Sequence, residues 1–152
     1  MLHAVVGLAV VGALTHDFIW SLRYLKDRYG QATAERRFLR WGARLFAAAF
    51  LGGLLLYPQY KLEVRIGWLD AQRPWVGRLF DIKEHFAAVA LASLAAQSWI
   101  ACRAHPAQMK DPLGRLVYVS LAGLNAGLVW VIALIGLYTA THRSFGAGGG
   151  GG

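Results

Sequence analysis

Two short stretches of this sequence place titratable side chains where an apolar run begins or continues, and these are the groups that could do chemistry. The first is His16-Asp17, inside LHAVVGLAVVGALTHDFIW. The second is Asp81-Ile-Lys-Glu-His85, which leads into FAAVALASLAA. Ionisable groups inside hydrocarbon are costly, so each marks a candidate for function. On a helix, His16 lies about 20 Å from the start of its run and shares a face with Ala9, Gly12 and Ala13. That phase predicts an imidazole pointing inward, with Asp17 about 100° further round. The plainer alternative is a packing histidine hydrogen-bonded to a neighbouring backbone, or to Asn125 or Gln97. His85 continues the face of Ala88, Ala92 and Ala96, so it too is expected to point inward. There the plainer alternative is an interfacial helix start, with Asp81 and Glu84 favoured by the positive end of the helix dipole.

Three chemistries fit these residues. His3, His85 and His142 should reach the same outer end of a helical bundle, where imidazoles could bind a transition metal or ligate the iron of haem b. Glu84 or Asp81 would add an oxygen ligand or orient a histidine. A two-haem arrangement is disfavoured, because His3 and His16 are about 140° out of phase on one helix. His16 would serve a cofactor only from greater depth. Alternatively, His16, Asp17 and Glu84 form a proton relay. The third reading needs no cofactor: an accessory or assembly subunit packed against a larger membrane complex. Nothing in the sequence marks an enzyme, since no nucleophile elbow, HExxH, P-loop or dinucleotide fingerprint occurs. The single cysteine, Cys102, excludes an intramolecular disulfide and stands outside any zinc spacing. His105, beside Pro106, is expected to be solvated.

The elements that must position these residues are read from composition and pattern. The chain has 152 residues, enough for one domain, and 57% of them are hydrophobic. Those residues gather in blocks that a soluble core of this size could not hide. Lipid is the solvent that suits them. Four spans are predicted, at about 2–22, 38–57, 80–102 and 116–141, each close to the roughly 20 residues a bilayer core requires. The fold class is therefore an all-α membrane protein, a four-transmembrane-helix antiparallel bundle occupying residues 1–143. The first run lacks a basic n-region and is followed by basic residues, which reads as a retained span and not a cleaved signal. Residues 58–79 interleave aromatic and basic side chains and are expected to form an interfacial outer loop between helices 2 and 3. The Gly-rich tail, 144–152, is expected to be disordered.

The net charge of +8 does not indicate nucleic acid, because Lys and Arg flank the apolar blocks. Ten basic residues fall in the connectors after spans one and three, against six on the other side. That asymmetry predicts cytoplasmic connectors there, N-out and C-out, in a bacterial inner membrane. Arg40 and Arg44 must then lie near the headgroups. Small residues should let the helices approach. The expected stripes are Ala9-Gly12-Ala13, Ala88-Ala92-Ala96 and Ser120-Gly123-Gly127. The GxxxG in the last stripe reads as intrachain packing first and homodimerisation second.

Overall fold

A computed structural model describes residues 2–61, 74–104, 109 and 111–146. Among these residues every regular element is helical. Helix α1 spans Leu2–Ser21 and tightens into a single 3-10 segment, Leu22–Lys26. Helix α2 spans Ala32–Tyr60, α3 Pro74–Arg103 and α4 Pro112–Gly146. All four are long enough and apolar enough to cross a membrane, with mean hydropathies of 1.6, 1.4, 1.4 and 2.0 over their best windows. Helices α2, α3 and α4 begin six, six and four residues before the predicted spans, because their first turns carry polar residues that a hydropathy reading assigns to connectors. The central part of the expected interfacial loop, 62–73, lies outside the described residues.

Local chemistry sets the turns. After α1 the chain closes through Asp27 at φ 54°, a left-handed conformation that a short polar side chain tolerates. Its amide donates to the Tyr24 carbonyl at 3.2 Å. Its carboxylate accepts from Tyr29 Oη and from the Arg115 guanidinium, which pins this turn to the start of α4. Helix α4 starts where a proline should sit, at the first helical position. Asp111 accepts from the amides of Leu113 and Gly114, each at 3.1 Å, capping two donors the helix leaves unpaired.

The helices pack in a ring, α1 against α2 and α4, and α3 against α2 and α4. The apolar core comprises Val10 and Leu14 of α1, Leu39 and Phe46 of α2, Ala90 and Leu94 of α3, and Val119, Ala122 and Val129 of α4. Two glycines allow close approach. A Cβ at Gly42 would meet Leu14 Cδ2 at 2.5 Å, and one at Gly123 would meet Phe18 Cε2 at 2.9 Å. The expected small-residue stripes are largely displaced from these contacts. Ala88, Ala92 and Ala96 are exposed, and α3 buries Ala90, Leu94, Gln97 and Ala101 instead. Of the α1 stripe only Ala13 is buried, while Ala9 is exposed. Gly123 does pack within the chain, as expected, but Gly127 and Ser120 face outward. Alanine and glycine are accepted equally by lipid and by a helix neighbour, so their spacing alone leaves the phase undetermined.

Candidate functional site

The inward phase of α1 carries a polar series, not only apolar residues. Asp17, Ser21 and Tyr24 follow Val10 and Leu14 at helical spacing, and all are buried. On α3 the same face carries Ser93 and Gln97, on α4 Tyr118 and Asn125, and on α2 Glu35. Asp17, Glu35, Gln97 and Asn125 are each 0% exposed. Four helices thus deliver carboxyl, amide and phenol groups to one continuous core.

The groups connect in sequence. Asn125 Nδ2 donates to Gln97 Oε1 at 2.7 Å, and Gln97 Nε2 donates to Asp17 Oδ2 at 2.8 Å. The second bond joins α1 to α3, across one diagonal of the ring. Glu35 accepts the Tyr24 hydroxyl at 3.1 Å on one oxygen and the Tyr118 hydroxyl on the other. The Tyr118 bond joins α4 to α2, across the other diagonal. The two halves are neighbours in one core, where the Asp17 and Glu35 carboxyls are close enough to interact electrostatically. Asp17 Oδ1 has no donor from any other side chain, and neither Asn125 Oδ1 nor Ser93 Oγ has a partner.

The network has direction. Its Tyr24–Glu35–Tyr118 end lies beside the α1–α2 turn, where Arg36 donates to the Ala101 carbonyl at 2.7 Å and closes the C-terminal end of α3. Asp17 lies seven residues before Tyr24, about 10 Å nearer the middle of the bundle. Beyond it Val10, Leu14, Ala90, Leu94 and Val129 form an apolar layer. The polar chain therefore runs from one end of the bundle to its interior and stops against hydrocarbon side chains.

Both described histidines expected to point inward lie on the outside. His16 is exposed, its Nδ1 at 2.8 Å from the Gly12 carbonyl and its ring stacked on Phe38 at 5.2 Å. Of the partners considered for it, a carbonyl of its own helix holds the imidazole, while Gln97 bonds Asp17 and Asn125 bonds Gln97. The error is one residue of phase: the inward position belongs to Asp17, and His16 sits about 100° away. His85 is likewise exposed, with Nδ1 at 2.7 Å from the Asp81 carbonyl of its own helix. Asp81 and Glu84 are half-buried on α3, and Lys83 lies over the Phe80 ring at 4.6 Å. His3 and His142 fall on α1 and α4, but their side chains, like His105, lie outside the described residues. Among the described residues no group of three His, Cys, Asp or Glu side chains could hold a metal ion. Cys102 is a free, exposed thiol.

Sequence reading found Asp17 but missed Glu35, Tyr24 and Tyr118. Glu35 stands next to Arg36 and Arg37 and so reads as a solvated connector residue. The available signal was the polar periodicity of Asp17, Ser21 and Tyr24, repeated by Tyr118 and Asn125 seven apart. No protein-family model, curated protein or solved structure matches the chain.

Proposed function

We propose that this chain is a multi-pass membrane protein that takes up and releases protons at the Asp17–Glu35 pair, as a small proton-coupled carrier. The observation that carries the reading is the fully buried carboxyl pair, contributed by α1 and α2 and held by Gln97 of α3 and Tyr118 of α4. Carboxyls closed off from water inside a helical bundle are expensive to keep, and membrane proteins that keep them use them as proton relays or ion sites. Tyr24, Tyr118, Gln97 and Asn125 supply hydroxyls and amides that keep the pair bonded as its proton count changes.

With both termini outside, in a bacterial inner membrane, the tyrosine end of the network faces the cytoplasm. Proton exchange then occurs from that side in the conformation described. Delivery to the other side requires the layer of Val10, Leu14, Ala90, Leu94 and Val129 to part.

The test is proton flux in proteoliposomes carrying a pH-sensitive dye, driven by an imposed pH gradient. Wild-type protein should dissipate the gradient faster than empty vesicles. Asp17→Asn and Glu35→Gln should return the rate to that of empty vesicles, and His16→Ala should leave it unchanged. Wild-type flux equal to that of empty vesicles would sink the proposal, and so would full flux in both carboxamide variants.

A further inference from the structure

We propose that the outer face of the first turns of α2 is a binding site for an anionic phospholipid headgroup. Arg37, Arg40 and Arg44 are exposed there, together with Trp41. On a helix these three arginines fall within a stripe of about 60°, along about 10 Å of axis. Arg44 lies over the Trp41 ring at 5.7 Å, and Arg40 Nε donates to the Arg36 carbonyl at 3.2 Å. Those contacts hold two guanidinium groups along the helix surface, one of them against an indole of the type that settles at the headgroup level.

The carboxyls described at this end are committed within the protein. Glu35, the only acid of α2, is turned into the core and bonded to two tyrosines. Asp27 holds Arg115 and Tyr29, Asp111 caps α4, and Asp17 is buried with Gln97. Asp81 and Glu84 lie in the first half of α3, at the opposite end of the bundle. Among the described residues the three arginines therefore face outward without a carboxylate to balance them. A stripe of guanidinium groups bordered on the interior side by the exposed Leu51, Leu54 and Leu55 fits a phosphodiester headgroup above acyl chains. Arginine suits this role better than lysine, because its planar fork binds phosphate oxygens two at a time.

The inference rests on the membrane reading above but not on proton transfer. Resistance of the protein to alkaline carbonate extraction tests the membrane reading by itself. Lipid binding is then read by native mass spectrometry of detergent-solubilised protein titrated with dioleoyl phosphatidylglycerol or dioleoyl phosphatidylcholine. Three basic contacts at about 1 kcal/mol each correspond to a preference for phosphatidylglycerol on the order of a hundredfold. Arg37→Gln/Arg40→Gln/Arg44→Gln should reduce that preference to within about threefold, while the corresponding triple lysine variant keeps about tenfold. Circular dichroism checks that each variant is folded. If the triple glutamine variant is not, Arg44→Gln alone should lower the preference about fivefold. Equal binding of the two lipids by wild-type protein overturns the site, as does a preference that survives loss of the arginines.

Discussion

Replacing Gln97 with leucine tests whether the polar chain bonds the four helices as the geometry requires. The change removes two hydrogen bonds at once, the 2.8 Å bond to Asp17 and the 2.7 Å bond from Asn125. If each bond contributed only the membrane-protein average of about 0.6 kcal/mol, the loss would be about 1.2 kcal/mol. A larger effect competes with that figure. Asp17 and Asn125 remain fully buried, and each orphaned group costs about 1–3 kcal/mol. The orphan cost dominates because neither side chain can turn to water, so a loss of about 2–4 kcal/mol is expected. Unfolding in mixed micelles against rising SDS fraction, followed by circular dichroism, reads it. Adding Asn125→Leu removes one of the orphans, so the double variant should lose about 1 kcal/mol less than the sum of the singles. A Gln97→Leu loss below about 1 kcal/mol, or strict additivity with Asn125→Leu, would refute the reasoning.

Tyr118→Phe and Tyr24→Phe each remove one donor from Glu35, and each should cost about 1–3 kcal/mol by the same micelle titration. Tyr118→Phe/Tyr24→Phe should be the most destabilised of the three, because it leaves both Glu35 oxygens without a hydroxyl. Gly42→Leu should destabilise by about 1–3 kcal/mol, since even a Cβ there would press on Leu14, and its thermal unfolding should begin at lower temperature than wild type. His85→Ala touches an exposed ring bonded only to its own helix, so its stability should stay within about 0.5 kcal/mol of wild type.

Some of the site is legible in the amino-acid pattern. Asp17 stands out because a carboxyl inside an apolar run is rare for energetic reasons that hold in any fold. Gln97 and Asn125 are visible as polar residues within their spans, but as partners for the wrong neighbour. Glu35 is hidden by its surroundings. Three of its five nearest chain neighbours on the C-terminal side are Arg36, Arg37 and Arg40, and a charged run of this kind is ordinarily solvated. The arginines are indeed on or near the surface, while the glutamate between them and Ala34 turns inward to two tyrosines. One-dimensional pattern averages over that difference.

The sequence by itself determined four long apolar helices in order, with the starts of α2, α3 and α4 read four to six residues late. These follow from hydropathy, helix length and capping chemistry, all of which act over a few residues. Tertiary structure decided the rotation of each helix about its axis. That rotation put Asp17 inside and His16 outside, turned Ala88, Ala92 and Ala96 away from the core, and brought Glu35 to Asp17. The physical reason is that phase is set by the summed fit of one helix against two neighbours. In apolar spans rich in Ala, Gly, Leu and Val, lipid and protein offer similar surroundings. The few buried polar side chains, which must find one another to be bonded, fix the angle.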